Sequence, residues 1–199
     1  MSDAAAPVRR RDPDRRERIL AVAAELVAQR GYHDVGMADI GAAAGVTGSA
    51  IYRHFDNKSA VLVAIFDRVI DDLSKDAGEI VTSGEPPRTV LRRLVLGQIA
   101  FVIDDRTLAQ VYHNEIPNLP ADDRHRLRRK QRMYLEEWVH VLGLLRPEVG
   151  DAELRALAHA AIGAIQSTLF YSSGLPREQL ADLMYASAEA VLFSTPRPA

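Results

Sequence analysis

The 199-residue chain contains no cysteine, which excludes a disulfide framework, a thiolate metal site and a cysteine nucleophile. Lysine is scarce: Lys58, Lys75 and Lys130 are the only ones among 25 basic residues, and the remainder are arginine. Aromatic residues make up 6%, with a single tryptophan, Trp138. No uncharged apolar run approaches the roughly 18 residues of a membrane helix. The first 14 residues are polar and arginine-rich with no apolar stretch behind them, so no signal peptide is expected and the expected location is cytoplasmic. Asn57-Lys58-Ser59 spells a glycosylation sequon, which carries no meaning without secretion. A surplus of one charge is lacking too: 25 basic against 27 acidic side chains leave a formal charge of −2. Nucleic-acid-binding domains usually show a basic excess, so this balance argues against one until the charges are located.

Apolar residues at 47% and charged residues at 26% describe an ordinary globular chain, long enough for one large domain or two small ones. Ile19, Leu20, Ala23, Leu26 and Val27 recur at helical spacing, and Gly31 closes that helix. Met37 to Ala44, a break at Gly45-Val46-Thr47, and a short segment to Phe55 follow. Further helices are predicted from about Lys58 to Asp76, from Pro86-Pro87 to Ile103, and from Arg106 to Glu115. Others are predicted from Asp122 to Leu145, from a cap at Asp151 to about Tyr171, and from Pro176 to about Phe193. Strand-like alternation and internal repeats are both missing. The expected fold is all-α with about nine helices. It divides into a flexible basic arm (1–14), a three-helix head (15–60), a larger helical domain (61–194) and a flexible tail (195–199).

Residues Met37 to Lys58 carry the most information. Their helix, glycine-containing break and second short helix have the dimensions of a helix-turn-helix. Ile40, Ala44, Val46, Ile51 and Phe55 are spaced to pack inward. Thr47, Gly48, Ser49, Tyr52, Arg53 and His54 are left on the exposed side, small or hydrogen-bonding groups suited to base edges and phosphates.

Gly31-Tyr32, Asp39-Ile40, Ala44-Gly45-Val46-Thr47, Ile51-Tyr52-Arg53-His54-Phe55 and Lys58 together resemble the N-terminal signature of TetR-family transcriptional regulators. The resemblance covers about residues 15 to 65. It implies a DNA-binding head joined through its fourth helix to a domain that dimerises and holds a small-molecule effector. By the same resemblance Thr47 caps the recognition helix and contacts DNA, and Gly48, Ser49 and Arg53 face base edges. Tyr52 and His54 match phosphate contacts, and Lys58 matches a phosphate anchor at the start of the fourth helix. Gly36 stands where the family commonly has Ser or Thr. Contacts there must come from backbone amides, and Met37 beside it is placed in the same set. Arg9-Arg10-Arg11 with Arg15 and Arg16 read as a minor-groove arm, with a solvated tail as the plainer alternative.

In the larger domain, Phe101, Tyr112, His113, Tyr134, Trp138 and Phe170 are the candidates for lining an apolar effector pocket, although aromatics at this spacing also serve as plain core. Ala156, Ala160, Ala161, Gly163 and Ala164, with Leu183 and Ser187 on the last helix, form a small-residue face suited to a homodimer's four-helix bundle. Arg124, Arg126, Arg128, Arg129, Lys130 and Arg132 form the densest basic run, with Arg124, Arg128 and Arg132 on one helical face, and the run is read as a solvated face paired with Asp122, Asp123, Glu136 and Glu137. The sharper alternative is a grip on the phosphates of an acyl-CoA. His113, Glu115, His140 and His159 lie on different helices, and no metal or other cofactor is expected. The reading is a ligand-responsive regulator, most simply a repressor released from a palindromic operator in double-stranded DNA by a small hydrophobic effector, with no membrane role. The rival, a helical enzyme acting on a small apolar substrate, lacks a Gly-x-Ser-x-Gly elbow, a P-loop, a His-Glu-x-x-His and a dinucleotide glycine pattern. The charge objection weakens once position is considered. Residues 1–60 hold nine basic and eight acidic groups, with the positive ones on the arm, Arg53 and Lys58.

Overall fold

A computed structural model describes residues 13–194, and among them the chain is all-α with nine α-helices. They are α1 (Pro13–Arg30), α2 (Met37–Ala43), α3 (Gly48–Ile51), α4 (Lys58–Val81), α5 (Pro87–Asp104), α6 (Arg106–Glu115), α7 (Ala121–Leu145), α8 (Asp151–Gln166) and α9 (Arg177–Leu192). Short 3-10 turns, Ile116–Asn118 and Ser167–Phe170, extend α6 and α8. The expected arm lies outside the described residues except for Pro13 and Asp14, which open α1. Arg9-Arg10-Arg11 and the tail 195–199 lie outside them entirely. Contacts divide the chain into two compact units, one ending at Leu62 and the other starting at Val63.

The first unit has one small core. Ile19, Leu20, Ala23 and Val27 of α1 are buried with Val35, Ile40, Ala44, Ile51 and Phe55. The chain reverses between α2 and α3 at Gly45, whose φ of +66° lies in the left-handed region. Gly41 makes the second demand: a Cβ there would stand 3.5 Å from the Val46 carbonyl and 3.8 Å from the Ile51 side chain. Gly41 therefore serves packing inside the head, whereas Gly45 serves the turn. The recognition segment is shorter in α-form than the expected run to Phe55. Beyond Ile51 it continues as turns, with His54 N donating to Ile51 O at 2.9 Å.

In the second unit α5, α7, α8 and α9 pack around Leu94, Ile99, Leu127, Trp138, Leu142, Ile165 and Leu192. Ala158, Ala161 and Ala188 are completely buried, and these short side chains let α8 and α9 make the most extensive helix pairing. Gly150, not Asp151, is the N-cap of α8. Asp151 is the first helical residue, and its carboxylate takes Arg155 one turn on at 2.9 Å. That helix ends at Gln166, short of the expected Tyr171, and α4 runs five residues past the expected Asp76. Arg146 is a buried cation facing carbonyls. Its guanidinium donates to Leu192 O at 2.8 Å and Ser194 O at 2.9 Å, closing the C-terminus of α9.

Two stability predictions follow from these contacts. Arg146→Met leaves buried carbonyls unpaired and is expected to cost about 2 to 3 kcal/mol in denaturant unfolding at fixed protein concentration. An unchanged midpoint would refute the capping role. Gly45→Ala forces an L side chain into the left-handed region and should destabilise by about 1 to 2 kcal/mol. Gly97→Ala, in the exposed middle of α5 with no atom within 4 Å of the new Cβ, should instead stabilise by up to about 1 kcal/mol. Thermal unfolding of the two variants side by side checks the opposite signs.

Candidate functional site

The helix-turn-helix is held from three directions. From α1, Arg18 Nε donates to the Ala44 carbonyl at 3.2 Å, where α2 ends and the turn begins. At the entry to α2, the Gly36 amide donates to Asp39 Oδ2 at 2.8 Å. Glycine supplies no return bond from a side chain, so only half of a capping box exists there. At the exit, Asn57 caps α4 by accepting from Ala60 N at 2.8 Å. An asparagine just before a helix was readable as a cap, whereas the reach of Arg18 across 26 residues had no local signal.

On this support Thr47, Ser49, Tyr52 and Arg53 are exposed, Tyr52 by 55%, and His54 is half-buried. Thr47 is the N-cap of α3 through its carbonyl, which accepts from Ala50 N at 2.8 Å. Its hydroxyl makes no capping bond, contrary to expectation, and stays available to an outside partner. Gly48 begins α3. Arg53 has no partner among the described residues, making it the most available cation of the segment. Arg16 is exposed with its guanidinium 5.2 Å from the Phe55 ring centre, and Arg15 is half-buried.

Two residues depart from their expected roles. Met37 is buried, because position 37 opens α2 on its inward face, so its side chain belongs to the head's core. Lys58 is not a free cation. Its Nζ donates to the Tyr32 carbonyl at 2.6 Å and lies 4.2 Å from the Tyr32 ring centre, tying the start of α4 to the loop after α1.

In the second unit the aromatic candidates separate. Tyr112, Tyr134 and Trp138 are buried. Tyr112 stands edge-on to Phe66 and Phe101 and accepts from Gln131 Nε2 at 3.0 Å. Burial pushes its phenol up to about 12. Tyr134 donates to Gln98 Oε1 at 2.9 Å, and burial raises its pKa strongly. His113 and Phe170 are exposed and pack on each other, ring centres 5.1 Å apart, so they do not join the buried set. The 3-10 turn carrying Phe170 is pinned by Arg106, which donates to Thr168 O at 2.6 Å and Tyr171 O at 2.9 Å. Its exposure is therefore built in.

The basic run on α7 divides by face. Arg126 and Lys130 both reach Asp67 of α4, and Lys130 also reaches Asp71 at 2.7 Å. Burial alone would raise the pKa of Asp67, but the two cations outweigh it and hold the carboxyl below its usual range. Of the intrahelical pairs expected for this run, Arg126 keeps one, to Asp123 at 3.2 Å, whereas Arg124 donates to the Pro117 carbonyl and Glu136 takes Arg155. Arg128, Arg129 and Arg132 are exposed with no carboxylate partner among the described residues. On α8, Ala156, Ala160 and Gly163 are exposed and Ala164 half-buried, with Leu183 (49% exposed) and Ser187 on α9. Ala161 faces the core and leaves that set. His140 and His159 are exposed on separate helices, and no cluster of three metal-ligating side chains occurs among the described residues. No described helix is long and apolar enough to cross a membrane.

Comparison with known proteins places this geometry. Residues 19–65 match the family described as bacterial regulatory proteins, tetR family. The HTH-type transcriptional repressor KstR2 of Rhodococcus jostii strain RHA1 is 32% identical over 143 residues, covering 71% of this chain and 69% of the relative. A TetR-family transcriptional regulator from Bordetella parapertussis 12822 superposes with a TM-score of 0.77 at 25% identity, over 92% of this chain and 96% of that one. The regulator FadR from Bacillus subtilis, solved in complex with stearoyl-CoA, gives a TM-score of 0.75 at 20% identity, over 89% and 97% of the two chains. With a helix-turn-helix head, an all-helical second unit and a sequence relative of this extent, the chain belongs to the TetR family of DNA-binding transcriptional regulators and is not an enzyme.

Proposed function

We propose that the chain is a homodimeric repressor that leaves a palindromic operator when its second unit binds a small hydrophobic effector of the acyl-CoA class. The observation that carries the DNA half is the exposed set Thr47, Ser49, Tyr52 and Arg53 on a segment whose inward residues are fully buried. Thr47 and Arg53 offer unengaged donors, and Tyr52 offers a hydroxyl on a projecting ring. With Lys58 committed to Tyr32, Arg53 supplies the charge that reads base edges, and Arg16 supplies a second cation close to Phe55. Met37 contributes through its backbone only. One head offers few contacts, so specificity requires two heads about 34 Å apart on one face of the duplex. The exposed small residues Ala156, Ala160 and Gly163 of α8, with Leu183 and Ser187 of α9, are the surface through which two copies pair. Support for the effector class comes from the buried Tyr112, Tyr134 and Trp138, and from the unpaired Arg128, Arg129 and Arg132 as a seat for an anionic headgroup.

Effector binding weakens the operator complex only if the effector prefers the state that binds DNA poorly, typically by about 1 to 3 kcal/mol. Helix α4 is the element suited to transmit that preference. It begins in the first unit and continues in the second, where Asp67 and Asp71 pair with Lys130 and Phe66 stands edge-on to Tyr112.

Operator binding is tested by anisotropy titration of genomic fragments from about 50 to 300 mM salt, where specific affinity should fall linearly with log salt. Arg53→Ala should weaken specific binding by about tenfold or more while leaving non-specific binding little changed. Absence of any sequence-preferring, salt-sensitive complex would sink the proposal. For the assembly, Ala160→Glu places a charge in the small-residue face, and light scattering should report a monomer with weakened operator affinity. A dimer of unchanged stability would locate the interface elsewhere.

A further inference from the structure

Trp138 is completely buried on α7, and its indole N–H has no hydrogen-bond partner among the described residues. The Tyr134 ring lies one turn away, ring centres 6.3 Å apart, close enough for the indole to offset a little of the phenol's raised pKa, but without hydrogen-bond geometry. The Tyr134 hydroxyl instead donates to Gln98 Oε1 on α5. Three polar side chains are thus buried together in a largely apolar core, two of them satisfying each other and one donor left over. Native cores rarely keep such a donor, because a Phe at the same position would fill the space without the desolvation cost.

We infer, building on the effector reading above, that Trp138 Nε1–H is the donor for a neutral carbonyl on an otherwise apolar effector, an ester, thioester or ketone and not a free carboxylate. The choice between neutral and charged acceptors rests on what surrounds the donor. Tyr134 and Gln98 carry no charge, and the charged side chain whose field reaches Tyr134 is the carboxylate of Asp76. A second anion buried there would find no cation and would be repelled. A neutral carbonyl accepts one hydrogen bond and leaves no charge to neutralise.

Trp138 is the only tryptophan in the chain, so its emission reports this position alone. Four probes are titrated into the full chain by fluorescence and calorimetry: decanoyl-CoA, its thioether analogue decyl-CoA, 2-undecanone and decanoate. The thioether keeps the chain and headgroup but has no carbonyl. Decanoyl-CoA should bind about tenfold tighter than decyl-CoA, the difference of one buried neutral hydrogen bond, and 2-undecanone should outbind decanoate. Each carbonyl probe should change the Trp138 emission. Trp138→Phe should remove the thioester preference, read by calorimetry. The wild-type thioester and thioether comparison decides the matter even if that variant folds poorly. Equal affinity for the two analogues, as expected if water satisfies the indole, overturns the inference. So does a preference that survives in Trp138→Phe, or failure of both carbonyl probes to bind. In each case intact operator binding by the wild-type chain shows that the regulator reading stands; its loss would mark the failure of that reading instead.

Discussion

The backbone must reverse between α2 and α3 within four residues, and that constraint governs the whole head. Only a left-handed residue turns the chain so sharply, and Gly45 provides it at φ +66°. Once the turn is made, α3 lies close enough to α2 that position 41 faces the Val46 carbonyl at near van der Waals distance. Ile40, Ala44, Ile51 and Phe55 then bury against α1, and the opposite side of the same short segment has nowhere to point but outward. The exposure of Thr47, Ser49, Tyr52 and Arg53 is thus a consequence of how the inner residues pack. The surface proposed to read DNA is specified by the core beneath it.

Much of the chain's positive charge serves backbone carbonyls. Arg18 holds the end of α2, Lys58 holds the loop after α1, Arg106 holds the 3-10 turn after α8, and Arg146 holds the end of α9. Helix ends carry unpaired carbonyls with partial negative charge, so a long cationic side chain both hydrogen-bonds and compensates them. Arg126 and Lys130 serve Asp67. Net charge counts all of these equally with Arg53, which has no partner among the described residues. A total of −2 therefore says little about affinity for nucleic acid, because the cations engaged inside the fold contribute to the sum but not to the interface.

The second unit combines two kinds of surface. Alanines turned inward on α8 and α9 bring those helices together, while Ala156, Ala160 and Gly163 on the outer side of α8 leave a face with little to obstruct a second close approach. Deeper in, Gln98, Tyr134 and Trp138 interrupt an apolar core with polarity it does not need for packing. Both features are better explained by association, with another copy and with a small molecule, than by the stability of an isolated chain.

Periodicity and punctuation alone specified the helical class and the order of elements, because apolar spacing, proline and glycine act locally. They also specified the head: Gly45, the inward Ile40 and Phe55, and the outward Thr47 and Arg53 all follow from a helical repeat read over a dozen residues. The aromatic set expected to line an effector pocket was only half legible. Tyr112, Tyr134 and Trp138 fall on the buried stripe, but Phe170 is turned outward by Arg106, a residue more than 60 positions earlier. The same limit hid the roles of Lys58, Met37, Arg126 and Lys130. Each looked like a surface or contact residue in its own segment, and each was committed by a partner or a packing face that only folding brought near. Sequence by itself determined which side of each helix is apolar. The tertiary structure decided which polar groups remain free, because hydrogen bonds and ion pairs across 25 or 60 residues leave no trace in local spacing.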